Sequence, residues 1–174
     1  MSHSPWLESR TRAVIVVALL GLCGLLVGGC ASTAIQAQWA DPQFAGRSLR
    51  GATVLVVCDA SATAIKRLCQ DQIAARLAAS AIKPVVAPDA DSLPAEGKPM
   101  PDKIFAAARR ARAAAIWASL IAPDVTADMT LTDVATRRLI WTSRVTTPAS
   151  QDITEQVTEL VEVGVKSARQ AGYL

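Results

Sequence analysis

Between Ala13 and Val27 the chain runs fifteen residues without a charge (AVIVVALLGLCGLLV). Arg10 and Arg12 stand before this run, and Gly28-Gly29-Cys30 stand directly after it. A basic start, a short apolar run and small residues at a cut describe a secretory signal, which is removed and takes no part in the fold. The alternative is an uncleaved helix. Ala13 to Ala31 is 19 residues, just long enough to cross a bilayer. The two small residues before a cysteine, and the small, polar stretch after it, favour cleavage. Gly21, Gly24, Gly28 and Gly29 do not form a phosphate loop, because they lie inside and at the end of the apolar run with no strand before them.

Val27-Gly28-Gly29-Cys30 resembles a bacterial lipobox, an aliphatic and two small residues ahead of a cysteine. The resemblance implies cleavage between Gly29 and Cys30, a diacylglyceryl thioether on Cys30, and N-acylation of the type that palmitate labels. Three acyl chains hold a protein to a membrane, whereas one holds it only marginally. Ala31 follows the cysteine where an aspartate does not, and the resemblance then implies the outer membrane, periplasmic side. The inner membrane is the alternative.

The full chain has 174 residues, with Lys+Arg 18, Asp+Glu 15 and one histidine. Losing residues 1–29 removes Glu8, Arg10, Arg12 and that histidine, His3. The weak positive balance gives no reason to expect a nucleic-acid partner. A mature chain without histidine has no His-based triad, His–Cys dyad or His metal site. No catalytic residue, metal or cofactor is expected.

Residues 30–50 are small and polar and read as a lipidated tether, with 51–172 as one α/β domain. Trp39 and Phe44 are expected to pack on the domain's edge, and Trp39 is also a candidate partner contact. Thr53 to Val57 is a continuous β-branched and aliphatic run, suited to a strand covered on both faces. Asp59-Ala60-Ser61 offers a helix cap, and 62–80 places Ile65, Leu68, Cys69, Ile73 and Leu77 at helical spacing. A second strand spans 82–87, a proline-rich loop 88–102, a helix from Asp102 to about Ala113, and a third strand 114–121. Residues 125–145 alternate as a hairpin, with Met129, Leu131, Leu139 and Trp141 inward and Thr126, Asp128, Thr130, Thr132 and Arg144 outward. A helix over 151–170 ends at Gly172. The order β-α-β-α-β-β-β-α predicts a mixed sheet with right-handed crossovers. The expected core includes Val54, Val56, Leu68, Ile73, Leu77, Val85, Ile116, Leu131, Trp141, Leu160 and Val161.

Cys58 and Cys69 are the cysteines left after Cys23 and Cys30 are accounted for. In an oxidising compartment two cysteines invite a bridge. Cys58 ends a strand, however, and Cys69 lies about two turns into the next helix, ~10 Å from its start, while a bridge needs Cα atoms within ~7 Å. Buried free thiols are the expectation.

The element order on a lipid-anchored chain, with Leu131-Thr132-Asp133-Val134-Ala135-Thr136 and then Ile140-Trp141, resembles a superfamily of bacterial envelope domains. It includes the curli secretion lipoprotein, the lipoprotein activator of penicillin-binding proteins and the N-terminal domain of the Tol–Pal periplasmic protein. In that hairpin an Asp and a Thr shape the turn and an aromatic returns to the core. Arg137 here stands where glycine is frequent. The mature start (Trp39, Asp41, Pro42) is also similar to small proteobacterial lipoproteins. Neither likeness implies a catalytic residue.

Asp59, Ser61 and Thr63 lie at the carboxyl edge of the first strand, where open α/β sheets take ligands. They could hold an anion through hydroxyls and helix amides, but the loop has no glycine and Asp59 repels anions, so capping is the plainer reading. Arg109, Arg110 and Arg112 on one helix, with Arg137 and Arg138 at the hairpin, form a basic group that is either a solvated face or a contact for anionic lipid or an acidic partner. The expectation is a non-enzymatic envelope module that binds a protein partner or assists assembly. The alternative is a small-molecule or anion-binding domain using Asp59–Thr63. An outward hairpin face with Asp128 and Arg144 is costly against lipid, which predicts a monomer or small oligomer rather than a channel.

Overall fold

Long β-branched runs and three helical segments produce a sheet with helices on both faces. The computed structural model describes residues 32–87, 93, 98–124, 126–148 and 152–174. The elements are β1 (Ala34–Ala40), β2 (Thr53–Ala60), α1 (Thr63–Ala79), β3 (Lys83–Val86), α2 (Asp102–Arg110), β4 (Ala115–Ile121), β5 (Thr126–Asp133), β6 (Leu139–Thr146) and α3 (Ile153–Gln170), with a short 3-10 turn at Pro42–Phe44. They form one six-stranded sheet in the order β1-β6-β5-β4-β2-β3. β2 pairs in parallel with β3 and β4, and the remaining pairs are antiparallel. The mixed α/β class is as expected. Among the described residues no helix is long and apolar enough to cross a membrane.

Residues 34–44 correct the tether reading. β1 pairs with β6 over Ala34–Ala40, and Phe44 is buried at 6% exposure. Trp39 remains 45% exposed, so of the two aromatics only Phe44 packs into the edge. The AIQAQWA segment has period-two alternation, but an edge strand buries so little that no apolar run announces it.

α1 and α3 cover one face. Their core gathers Val54, Val56, Ile73, Leu77, Leu131, Trp141, Leu160 and Val161. α2 covers only the β2–β4 part of the other face, over Leu55, Val57, Ile116 and Ala118. Two expected core residues fall short. Leu68 is half-buried, and Val85 is 37% exposed because β3 is an edge strand beyond the reach of the nine-residue α2. Leu139 is 41% exposed rather than inward. A register shift between Leu131 and Thr132 pairs Thr132 with Leu139, and Ile140 takes the buried place at 3% exposure. In the hairpin turn Asp133 Oδ1 accepts bonds from the Thr136 amide (2.7 Å) and hydroxyl (2.6 Å).

Cys58 and Cys69 form a disulfide with Cα atoms 6.2 Å apart. This overturns the free-thiol expectation. β2 continues two residues past Cys58, and α1 starts at Thr63 and runs back along it. Two residues of strand, ~7 Å, nearly match six residues of helix, ~9 Å. The two cysteines therefore sit at the same level.

Gly164 in α3 faces Met129 in β5. A Cβ there would lie 2.1 Å from Met129 Sδ and 2.9 Å from Cε, and Met129 is fully buried. Gly164→Ala gains helix propensity of about 1 kcal/mol but overpacks the core by about 1–3 kcal/mol. It should destabilise the native chain by about 1 kcal/mol and stabilise a Met129→Val background, where Sδ and Cε are gone. Chemical denaturation of the four proteins reads this reversal.

Tyr173 is 1% exposed, and its hydroxyl donates to Ile140 O at 2.7 Å. Burial pushes its pKa up, and the negative charge of Asp41 pushes the same way. The unfolded phenol ionises near ~10, before the native one, so stability should fall as pH rises above that value. Tyr173→Phe should flatten this fall, measured as melting temperature against pH. It should cost about 1 kcal/mol at neutral pH, since Ile140 O still accepts from Asp41 N at 2.9 Å.

Candidate functional site

The part of the second face that α2 leaves open belongs to β5, β6 and β1. Register places Thr130 beside Thr142, Asp128 beside Arg144, and Trp39 beside Thr142. The exposed indole therefore continues a row of hydroxyls. Arg144 grips Asp128 through Nε (2.6 Å) and Nη2 (3.0 Å). This paired geometry is the strong form of a charge-assisted contact, and it neutralises the centre of the face.

Between this face and α2 lies a cleft of about 680 Å³ whose lining includes Phe105, Met100, Leu120, Thr130, Thr142 and Arg137. Arg137 forms its rim. Its guanidinium binds Asp102 Oδ1 at 2.7 Å and lies 4.8 Å from the Phe105 ring centre. The cleft offers hydroxyls, a neutralised ion pair and apolar walls. That combination can hold a chain or small molecule by hydrogen bonding and packing.

The loop Asp59–Thr63 has a different role from the one expected. Asp59 is still in β2, opposite Leu120, and its Oδ2 accepts from the Leu93 amide at 2.8 Å. The residue capping α1 is Ala62, with no side-chain cap bond, so neither Asp59 nor Ser61 caps. Ser61 and Thr63 are exposed. Asp102 is likewise the first residue of α2 rather than its cap. Asp152 does cap α3, accepting from the Thr154 and Glu155 amides.

Arg109 and Arg112 are exposed at the end of α2. They lie at the opposite end of the strands from Asp59–Thr63, so the two candidate groups are not brought together. Gly29 and Cys30 lie outside the described residues. The sequence reading missed β1 as an element. It also missed Asp41, which is 3% exposed and paired with Arg138 at 2.7 Å. The Trp39-Ala40-Asp41-Pro42 sequence was the visible signal, since Asp before Pro often opens a turn.

No protein-family model and no curated protein matches the chain. Solved structures do. A PelC variant dodecamer from Paraburkholderia phytofirmans matches with a TM-score of 0.55 and 14% identity, covering 81% of this chain and 99% of its own. A PelC dodecamer from the same organism matches with a TM-score of 0.50 and 12% identity, covering 82% and 99%. At this identity the likeness is one of fold.

Proposed function

We propose that this chain is a lipid-anchored envelope module that acts by binding a protein partner rather than by catalysis. The anchor would be on Cys30, facing the periplasm, most simply from the outer membrane. The observation that carries the binding role is the unshielded side of the sheet. β1 is an edge strand exposed along its whole length, and Trp39 stands on it beside the threonine row of the open face. An edge strand offers free backbone donors and acceptors to an added strand, and an exposed indole supplies a rigid apolar anchor. The hydroxyls of this face have no histidine to activate them, since the chain's one histidine is His3.

In-cell cross-linking from a photoreactive residue at Ala37, exposed on β1 two residues before Trp39, followed by mass spectrometry, tests this reading. One envelope protein captured there, and lost in Trp39→Ala, supports it. Turnover of a small molecule by the purified protein, abolished by Asp59→Ala with Ser61→Ala, would support the ligand-loop reading instead.

A second reading comes from the solved neighbours, whose names describe dodecamers. On that precedent the partner on the open edge is another copy of this chain. Light scattering of the purified protein distinguishes a monomer or small oligomer from an assembly of twelve.

A further inference from the structure

We infer that the basic end of the sheet, centred on Arg112, is the docking surface for an acidic polypeptide segment. This deepens the partner-binding reading above and rests on it for its setting.

Backbone hydrogen bonds fix which loops share that end. Lys83 N donates to Ala52 O, Ala114 N to Thr53 O, Val134 N to Ala114 O, and Asp133 N to Arg138 O. Leu49 N donates to Tyr173 O, which adds the end of the chain. Segments 41–52, 81–83, 109–114, 133–138 and 169–174 carry nine Lys and Arg side chains against two carboxylate side chains, Asp41 and Asp133. Some of these cations are used internally. Arg138 holds Asp41 and Arg137 holds Asp102. Arg50, Arg109, Arg110 and Arg112 are exposed and make no ion pair among the described residues.

Arg112 carries a second, independent mark. All three helices end in the same motif, in which the residue after the cap turns left-handed and the next amide reaches back five residues. In α1 this is Ala81, with Ile82 N on Leu77 O; in α2 it is Arg112, with Ala113 N on Ala108 O; in α3 it is Gly172, with Tyr173 N on Ala168 O. The φ values are 60°, 53° and 87°. Glycine is the residue that adopts this backbone at no steric cost, and α3 uses it. α2 instead carries a long cation in the strained position. The hairpin repeats the choice at Arg137, φ 58°, but there Asp102 and Phe105 account for the side chain. Among the described residues Arg112 has no such internal use. Ala81 shows that the turn itself needs no cation, so what Arg112 adds at this position is an exposed charge.

The partner's chemistry follows from charge and position. Exposed guanidinium groups in a cluster match carboxylates in a paired geometry. Ala34, four residues after Cys30, pairs with Thr146 at the other end of the sheet, level with Thr126, Ile121 and Ala60. Four residues reach at most about 14 Å. An eight-residue strand then sets the basic end about 26 Å farther, about three screening lengths at physiological salt. With the sheet directed away from the membrane proposed to hold Cys30, the basic end faces a protein partner rather than headgroups.

The test measures binding of a fluorescein-labelled decaglutamate peptide to the full-length protein as purified from membranes, in phosphatidylcholine nanodiscs, or in buffer if it purifies without lipid. The peptide arm thus stands even if the anchor reading fails. Arg109→Gln with Arg110→Gln and Arg112→Gln should weaken binding about tenfold, whereas Arg67→Gln, on α1, should leave it unchanged. Arg112→Gly is the sharper probe. It should raise the melting temperature by relieving the backbone while loosening the peptide about threefold. Absent peptide binding, or equal binding by all variants, overturns the proposal. So does a peptide displaced by adding phosphatidylglycerol to the nanodisc, which would make the surface a lipid contact.

Discussion

Serine at both Cys58 and Cys69 should lower the unfolding free energy by about 3 kcal/mol, the chain-entropy value for a loop this short. The bridge spans 11 residues, joins β2 to α1, and has both half-cystines fully buried. The serines add a further cost, because two hydroxyls would enter an apolar site next to Ile73 and Val56. Alanine at both positions separates the two effects and should be the milder pair. Denaturant titration of the wild type with and without a reductant gives the same comparison without mutation. An unchanged midpoint on reduction would mean that the two thiols are not bridged in the protein.

On the proposed lipid anchor, Cys30→Ala should abolish palmitate incorporation completely, since Cys30 is the residue proposed to carry the lipid. The variant should also migrate as the uncut chain, because cleavage before residue 30 depends on the modified cysteine. Loss of signal here is all-or-none. Three acyl chains at about 0.8 kcal/mol per buried CH₂ make an anchor that does not exchange. A variant that keeps its label and its mobility would refute the anchor on Cys30, whereas a wild type that is never labelled yet stays in the membrane would place the anchor in the apolar run Ala13–Ala31.

Much of the fold was legible in the sequence because its central elements are periodic and strongly apolar. β2 and β4 are buried on both faces, which leaves continuous runs with no other fold-compatible reading. α3 shows a clean apolar stripe from Val157 to Ala168. The hairpin turn was legible in Asp133 and Thr136, whose side-chain bonds close it. The edges were not legible. β1 buries almost nothing, so its alternation of Ile35, Ala37 and Trp39 with Gln36 and Gln38 resembled a polar tether. Leu139 was misplaced because a bulge shifts the register by one residue, and the sequence alternation carries no mark of it. The disulfide was missed because its geometry depends on how far β2 runs past Cys58, a boundary that propensity alone does not set. At the candidate site, Trp39 was visible as an odd residue in a polar stretch. Its place on the open face beside Thr142 needed the pairing of β1 with β6. Arg109 and Arg112 were visible as charges, but that Arg112 sits in a left-handed turn is a property of the helix end alone.

The proposed function places Cys30 at the mature, acylated N-terminus of a module held at a membrane. Mass spectrometry of the N-terminal peptide from membrane-extracted protein tests it most directly. The expected result is a chain beginning at Cys30 and carrying a diacylglyceryl thioether with an N-acyl group. A chain that still begins at Met1, or one with an unmodified Cys30 thiol, would contradict it.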